Sequence, residues 1–335
     1  MRIAVFDIGT NSIHMKIVRV YPNLSFEVLD HEKDMTRIGD GSFRSKKLSK
    51  RAMRRGLKVL TRFTRIARDE GVQKMIAVAT SAVRDSKNGP QFVKWVRKKT
   101  GLRIRVISGR EEGRLIFLGA SSDPEAPRGK VLIIDIGGGS IEFILGDRRN
   151  IVYDESFPLG VARLTDRFLT KDPPSKDNLR NLEEHIEEKL SEALEFFSRK
   201  KYSMLVGTAG TMINLASIIY EAREGRELRL RGTFELRKKE FMKFHAKMIR
   251  MSGKRLRKLP GLDRKRSSFM IAGSVLVSLL MKRLKEDRIF ISDKGIREGM
   301  ILDFMMKSLM KLKIPKPSLR VQWLGQKPFF SGKIL

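Results

Sequence analysis

The sequence predicts an α/β protein built from two similar halves. The chain has 335 residues, of which 41% are hydrophobic, so it has enough apolar material for one large domain or two ordinary ones. Residues 3–13 align without gaps on 131–141, and both copies contain an apolar run followed by Asp-Ile-Gly-x-x-Ser-Ile. Apolar, β-branched runs alternate with segments of helical periodicity along the rest of the chain, which is typical of α/β folds.

Each copy of the repeat is predicted to form a β-hairpin, because apolar runs lie on both sides of a glycine turn. The first hairpin opens the first half. After it we predict, in order, a helix over 49–70, a strand over 75–79, a helix over 91–100 closed by Gly101, a strand over 103–107 and a helix over 111–120.

A polar segment, 121–129, is predicted to separate the halves because it contains Asp-Pro and Ala-Pro pairs and other turn residues. We therefore assign 1–123 to domain I and 124–312 to domain II. The remaining residues, 313–335, form a basic tail, and the chain has no acidic residue beyond Asp303.

The second half begins with the second hairpin. We then predict helices over 178–200, 238–251 and 266–284, a strand over 202–206 leading into a Gly-Thr-Ala-Gly-Thr turn at 207–211, a helix from about 212, a strand over 289–291 and a helix over 295–311.

Composition excludes several classes of site. There is no cysteine, so disulfides, zinc thiolate sites and cysteine nucleophiles are ruled out. The four histidines are scattered, with no pair at metal-ligand spacing. The longest uncharged helical run, 267–281, is shorter than the roughly 20 residues that span a bilayer, and the N-terminus enters a strand with no signal peptide. We expect a soluble, cytoplasmic protein.

The charge is strongly positive, with 70 Lys and Arg against 38 Asp and Glu and a formal net charge of +32. Two interpretations remain open, a generally basic surface and a polyanionic partner. The densest basic stretch contains Arg250, Lys254, Arg255, Arg257, Lys258, Arg264, Lys265 and Arg266.

An aspartate followed by a glycine-rich turn suits phosphate. Glycine lets backbone N–H groups approach phosphate oxygens, a hydroxyl adds a donor, and the carboxylate holds a divalent cation. One such hairpin is often only a tight turn. Two equivalent copies favour a functional interpretation, and the turn at 207–211 is a third candidate, which binds phosphate through a helix N-terminus or is a plain connection.

Four further segments make a family resemblance specific. They are Ala-Thr-Ser-Ala-Val-Arg-Asp at 79–85, Ser-Gly-Arg-Glu-Glu within 106–115, the second hairpin at 135–142, and Ser-Asp-Lys-Gly-Ile-Arg-Glu-Gly at 292–299. Together with the paired hairpins they resemble the exopolyphosphatase/guanosine pentaphosphate phosphatase (Ppx/GppA) family of the actin-like superfamily. The similarity runs collinearly from about residue 1 to 305.

The resemblance implies two actin-like, ribonuclease H-like domains with the active site in the cleft between them and no C-terminal HD-like domain. The last helix is then expected to pack back on domain I. The implied activity is release of terminal orthophosphate from inorganic polyphosphate, with guanosine pentaphosphate as the alternative substrate. A sugar or acid kinase and a non-catalytic polyanion-binding protein are the alternatives from other classes. A homodimer, and nucleic acid bound at most non-specifically, are also implied.

The resemblance also assigns roles to residues. Glu112 is the implied general base, chosen over the adjacent Glu111. Asp135 and Glu142 are implied to orient metal and water, and Asp7 to help hold Mg²⁺ or Mn²⁺. The implied phosphate contacts are Thr10, Asn11, Ser12, Arg37, Arg84, Gly137, Gly138, Gly139, Ser140, Gly207, Thr208 and Gly210. The chain departs from the family at Gly113, where many members carry alanine, and at Ile141, where threonine is usual.

Overall fold

The computed structural model describes residues 1–23, 25–122, 129–147, 150–230 and 232–311. Side chains are described as far as Ser308. The predicted boundary at 123/124 and the tail 313–335 lie outside these residues, and the division into domains remains a prediction.

The first half contains a five-stranded mixed sheet. Its strands are β1 (Arg2–Ile8), β2 (Ile13–Val20), β3 (Phe26–Asp34), β4 (Lys74–Ala79) and β5 (Ile104–Val106). Their order is β3-β2-β1-β4-β5, with β1, β2 and β3 antiparallel and β4 and β5 parallel to β1.

The second half repeats this arrangement in a six-stranded sheet. Its strands are β6 (Val131–Ile136), β7 (Ile141–Gly146), β8 (Ile151–Phe157), β9 (Met204–Thr208), β10 (Phe234–Arg237) and β11 (Arg288–Ile291). The order is β10-β11-β9-β6-β7-β8, and β8-β7-β6-β9-β11 has the same directions as the whole first sheet. The predicted fold of two actin-like halves is confirmed.

The helices pack against these sheets. They are α1 (Ser42–Ser45), α2 (Lys50–Asp69), α3 (Ser81–Arg84), α4 (Gly89–Thr100), α5 (Gly109–Ala120), α6 (Val161–Phe168), α7 (Lys176–Ser198), α8 (Ala209–Glu224), α9 (Lys238–Met248), α10 (Gly253–Leu256), α11 (Met270–Arg283) and α12 (Ile296–Lys311), with a 3₁₀ helix at Arg264–Phe269. Serine side chains fix several starts by accepting a backbone N–H, as Ser49 does for α2 and Ser175 for α7.

The predicted turn at 207–211 is wrong. Strand β9 continues through Thr208, and α8 begins at the next residue, Ala209. Ala209 has a φ of 68°, so one left-handed residue makes the whole bend. Gly207 is a strand residue, and a Cβ there would lie 2.2 Å from Met212 Cε.

The uncharged run at 267–281 is explained by burial. Helix α11 is buried on all sides and packs against α7, α6 and α9 in the core of the second half. A helix that is apolar all round belongs in such a core. No helix within the described residues is both long and apolar enough to cross a membrane.

Helices α5 and α12 cross so closely that backbone meets backbone. A Cβ on Gly299 would lie 1.8 Å from the Leu115 carbonyl oxygen, and a Cβ on Gly119 would lie 1.9 Å from that of Gly295. Helix α12 also packs on β1, where Ile301 and Ile3 share one apolar cluster. This crossing fixes the position of α5, which carries Glu112.

Candidate active site

The two repeat hairpins have the same local structure. In each, the glycine two positions after the aspartate donates its N–H to a serine carbonyl, from Gly9 to Ser12 (3.0 Å) and from Gly137 to Ser140 (3.1 Å). The repeat seen in the sequence is therefore a repeat in three dimensions.

Neighbouring segments occupy the carbonyl groups of both turns. Backbone N–H groups of 37–39 donate to the carbonyls of Thr10 and Asn11 (3.0 and 2.8 Å). The carbonyls of 137–139 accept hydrogen bonds of 2.8–3.0 Å from residues 161–163 at the start of α6. The turns therefore offer N–H groups, rather than carbonyl oxygens, to a ligand.

The hairpins face each other across a cavity of about 330 Å³. Their contact requires glycine. A Cβ on Gly138 would lie 2.6 Å from Asn11 Nδ2, and one on Gly139 would lie 2.3 Å from Ser81 Oγ and 2.6 Å from Thr10 Oγ1. Both turns thus contribute to the wall of a single site between the halves.

Asp7 and Asp135 are equivalent carboxylates on the two hairpins, and both line the cavity. Burial raises the pKa of Asp7 to about 6; the Arg297 guanidinium opposes this shift and Asp135 adds to it. Burial also raises the pKa of Asp135 to about 6, against a 2.6 Å hydrogen bond from Thr208 Oγ1 and the charge of Arg297. The cavity therefore holds two acids whose negative charge is only partly compensated.

Glu112 lies in the first turn of α5, whose start is capped by Ser108 Oγ accepting the Glu111 N–H (3.1 Å). Its side chain is buried, and its Oε2 accepts a 2.8 Å hydrogen bond from Arg84 Nη1. The same Arg84 nitrogen donates to the Ile107 carbonyl (3.1 Å), which holds the guanidinium in place. Burial raises the pKa of Glu112 to about 7, although Arg84 favours the ionised form.

Glu142 is buried rather than exposed, and it stands opposite Asp135 in the β6–β7 register as His14 stands opposite Asp7. Ser156 Oγ donates to its Oε1 (2.7 Å), while its Oε2 has no partner in the described part of the chain. Burial and then the charges of Glu112 and Asp135 raise its pKa well above the usual range.

Two histidines that are distant in sequence come together on the part of the cavity wall formed by β2, β3 and the start of α12, which we call the opposite wall. The rings of His14 and His31, on neighbouring strands, are stacked with centroids 5.7 Å apart. Arg297 Nη1 donates to His14 Nδ1 and to His31 Nε2, both at 2.9 Å. Burial and then Arg297 lower the pKa of His14 well below its usual value and that of His31 to about 4. Because neutral His14 accepts at Nδ1, its Nε2–H donates to Ser12 Oγ (2.9 Å).

A buried ion pair supports this wall from behind. Lys16 Nζ on β2 donates to Glu298 on α12, and Glu298 Oε2 also accepts the Gly295 N–H (2.9 Å). Burial alone would raise the pKa of Glu298, but Lys16 and Arg297 outweigh it and lower the pKa to about 2. The pair ties the first sheet to the last helix.

Two buried donors facing the cavity lack a protein partner. They are Asn11 Nδ2 and Arg266 Nε, neither of which has a hydrogen-bond acceptor among the described residues. Arg266 is 7% exposed and packs on Gly210, where a Cβ would lie 2.4 Å from its Cζ. Unpaired buried donors are costly, so an anionic ligand that accepts from them is stabilised.

The donor set is also compatible with Mg²⁺. In the described part of the chain no three His, Cys, Asp or Glu side chains form a ready-made metal site. Mg²⁺ is commonly held by one or two carboxylates, with waters and substrate phosphates completing its shell. Asp7 and Asp135 supply two such carboxylates, and Glu142, whose Oε2 is unpartnered among the described residues, is the cross-strand neighbour of Asp135.

Comparison with known proteins identifies the family. The Ppx/GppA phosphatase family model matches residues 16–308. The chain is 30% identical to exopolyphosphatase 1 of Mycobacterium leprae, over 90% of this chain and 89% of that protein. The chain belongs to the Ppx/GppA phosphatase family. The predictions of this family and of a phosphatase are confirmed.

Solved structures of Ppx/GppA proteins have the same fold. An exopolyphosphatase from Cytophaga hutchinsonii superposes with a TM-score of 0.86 at 27% identity, covering 92% of this chain and 98% of that one. The Aquifex aeolicus family member gives 0.76 at 25% identity, with the same coverage of both chains.

In this Ppx/GppA phosphatase most of the predicted site residues converge. Those that line the cavity are Asp7, Thr10, Asn11, Ser12, Glu112, Asp135, Gly137, Gly138, Gly139, Ser140 and Gly210. Three more adjoin these residues: Arg84 hydrogen-bonds Glu112, Thr208 hydrogen-bonds Asp135, and Glu142 is the cross-strand neighbour of Asp135.

Two predicted site residues lie elsewhere. The Arg37 side chain contacts Asp40 (3.0 Å) and lies over the Phe269 ring, 4.9 Å from its centroid. What Arg37 gives the site is its backbone N–H, which supports Asn11. Gly207 is packed inside β9, away from the cavity wall.

Sequence reasoning assigned no site role to three further residues of the cavity wall, and it named Arg266 only as part of the basic stretch. His31, Arg266 and Arg297 all line the cavity. Arg297 lies in the 292–299 segment that carries the family resemblance, which was a usable signal. His31 has no local motif, and the basic stretch that contains Arg266 does not show which of its cations is buried at the site.

Proposed function

We propose that this phosphatase is an exopolyphosphatase, which hydrolyses the terminal phosphoanhydride bond of inorganic polyphosphate. The observation that carries the proposal is the Glu112–Arg84 pair at the cavity. A buried glutamate with a pKa of about 7 beside phosphate-binding turns suits activation of water at neutral pH. The similarity to exopolyphosphatases supports the substrate class.

Glu112 acts as the general base in this proposal. Arg84 holds Oε2, which leaves Oε1 for the attacking water. The water oxygen attacks the terminal phosphorus, its proton passes to Glu112, and the bond from phosphorus to the bridging oxygen breaks. The bridging oxygen stays with the shortened chain, and orthophosphate is released.

The cavity walls bind and orient the terminal phosphates. We assign this role to the N–H groups of 138–140 and of 10–12, together with the unpartnered donors of Asn11 and Arg266. Asp7 and Asp135 would hold Mg²⁺, which when bound neutralises charge on the phosphate oxygens. We assign Glu142, the cross-strand neighbour of Asp135 whose Oε2 has no partner among the described residues, to orienting the metal or the attacking water.

The test compares Glu112→Gln with Glu111→Gln in orthophosphate release from polyphosphate. Glu111 is the matched control, because it pairs with Arg105 and Arg114 (both 3.1 Å) outside the cavity. We expect Glu112→Gln to lower kcat by about 10²–10⁴-fold and Glu111→Gln to leave it within about twofold. Polyphosphate binding should survive in both variants. Equal rates in wild type and Glu112→Gln would remove Glu112 as the base.

Guanosine pentaphosphate serves as the second substrate in the same assay. A higher kcat/KM on it than on polyphosphate would replace the proposed substrate while keeping the mechanism. Tight polyphosphate binding with no orthophosphate release from either substrate would contradict the proposed hydrolysis and favour a polyanion-binding protein. The predicted homodimer also remains a prediction.

A further inference from the structure

Most of the basic stretch found in the sequence is exposed, and its exposed cations lack ion-pair partners among the described residues. Six of its cations form what we call the basic rim: Lys254, Arg255, Arg257, Lys258, Arg264 and Lys265. None of the six forms an ion pair with any other part of the chain that the structure describes. The acids near them are engaged otherwise: Asp172 accepts the Gly253 N–H (2.6 Å), and Asp263 pairs with Lys33. Six like charges within twelve residues repel one another, so a polyanion would relieve that repulsion.

The basic rim begins at the edge of the cavity. Asp263 Oδ2 accepts from Lys33 Nζ (3.0 Å), and the Asp263 N–H donates to Asn214 Oδ1 (2.9 Å). Lys33 and Asn214 both line the cavity, and so does Arg266, three residues further on. The cations therefore continue from the buried Arg266, whose Nε has no partner, to the exposed surface.

The size of the cavity makes such a surface useful. At about 330 Å³ it is at the small end of ligand pockets, so a long chain held at its terminus must continue outside. The rim adjoins the point where Lys33, at the cavity wall, contacts Asp263.

The composition of the rim favours polyphosphate over RNA. Residues 250–266 contain no Phe, Tyr, Trp or His. Proteins that bind single-stranded RNA usually combine basic residues with aromatic side chains on which bases stack. A surface with cations alone is matched to a chain that carries charge and no bases.

We propose that the basic rim binds the part of a polyphosphate chain that extends beyond the cavity, so that long chains bind more tightly than short ones. This inference rests on the proposed function. Its distinctive consequence is a preference for chain length that is located outside the catalytic cavity.

The test uses two variants with the same loss of charge. One carries Lys254→Gln, Arg255→Gln, Arg257→Gln and Lys258→Gln. The matched control carries Lys94→Gln, Arg97→Gln, Lys98→Gln and Lys99→Gln, exposed positions on α4 that do not line the cavity. KM is measured for long-chain polyphosphate and for tripolyphosphate.

We expect the rim variant to raise the ratio of the long-chain KM to the tripolyphosphate KM about tenfold, since four charge contacts are lost. The control should leave that ratio unchanged. The slope of log Kd against log salt for long chains should also fall by up to about 3 in the rim variant. An unchanged ratio, or an equal rise in the control, would overturn the proposal.

A binding measurement distinguishes failure of this proposal from failure of the proposed function. If wild type releases no orthophosphate, the proposed function fails, and fluorescence anisotropy with labelled long-chain polyphosphate then decides the role of the rim. Weaker binding in the rim variant than in the control would support it. If the rim variant loses affinity for single-stranded RNA and keeps its affinity for polyphosphate, the rim is an RNA surface and the proposal is wrong.

Discussion

At the scale of single residues, the structure gives the adjacent acids Glu111 and Glu112 opposite surroundings. Neighbours on a helix point about 100° apart, so burying one leaves the other near the surface. Hydrogen bonds from Arg114 lower the pKa of Glu111, whereas burial raises that of Glu112 to about 7. The sequence alone left both as first-turn acids, because the side that α5 turns to the cavity depends on its packing with α12.

Arg84→Gln is expected to change the pH dependence of the reaction. Glu112 must be ionised to accept a proton, so kcat/KM in wild type should rise with pH through about 7. Arg84 favours the ionised form of Glu112. Without Arg84, less opposes the effect of burial, so the pKa of Glu112 should rise further. The rise of kcat/KM on the acid side of the pH profile, the acid limb, should therefore shift to higher pH by about one unit or more, and kcat should fall.

The measurement is kcat/KM for orthophosphate release between about pH 5 and pH 9. Arg114→Gln, which removes a partner of Glu111 instead, is the control and should leave the limb in place. A slower Arg84→Gln enzyme with an unshifted limb would mean that Arg84 does not tune Glu112.

The opposite wall marks the limit of prediction from local sequence. Asp7 and Asp135 were predictable, because a repeated motif of a few residues carries both. Lys16 and Glu298 are 282 residues apart, and although Glu298 lies in the 292–299 motif, nothing in the sequence links it to Lys16. The family resemblance implied that the last helix returns to the first half, but which residues of α12 and β2 meet there is specified only by the tertiary structure.

At the scale of elements, most of the helices and strands followed from periodicity. Strands β3, β8 and β10 and helix α6 were not predicted, and two boundary errors came from features of the backbone. Helix α7 was predicted two residues late at both ends, because Ser175, which caps it, was overlooked. The start of α8 was missed because Ala209 adopts a conformation that is rare for alanine. A single-sequence pattern does not report such a residue.

Gly299→Ala should disturb both stability and catalysis through the α5–α12 crossing. A Cβ would lie 1.8 Å from the Leu115 carbonyl oxygen, so the helices must separate. We expect a loss of about 1–3 kcal/mol in unfolding free energy, despite a gain of about 1 kcal/mol from alanine's helix propensity. Because α5 carries Glu112, kcat should fall as well.

Urea unfolding and orthophosphate release measured on the same preparations would test this. Ser308→Ala on the same helix, where the hydroxyl bonds the Phe304 carbonyl (2.9 Å), is the control and should change stability by no more than about 0.5 kcal/mol. A Gly299→Ala protein as stable and as active as wild type would show that the crossing has room to adjust.

At the scale of the whole molecule, the net charge of +32 does not describe the site. The cavity combines buried acids of the two hairpins with the cations Arg266 and Arg297. Composition left a generally basic surface and a polyanionic partner both open, and it could not predict that buried carboxylates with raised pKa values lie between the halves. Such groups cost stability, which is a common feature of functional sites.

Glu142→Gln is expected to raise the stability of the protein and to lower its catalytic activity. A carboxyl whose pKa is raised on folding contributes stability below its unfolded pKa of about 4, and this is lost as pH rises through the folded value. Glutamine does not titrate, so the variant's melting temperature relative to wild type should rise with pH, by at least about 2–4 °C near pH 8.

The difference between the two proteins is the quantity to measure, because buried histidines complicate each curve alone. His14, His31 and His245 have lowered pKa values and therefore reduce stability as pH falls below about 6.5, equally in both proteins. Exposed Glu192→Gln on α7 is the control and should give a difference near zero at every pH. If the Glu142→Gln difference is equally flat, Glu142 bears no folding cost, and the buried carboxylates are compensated in the free protein by charges that the cavity geometry does not reveal.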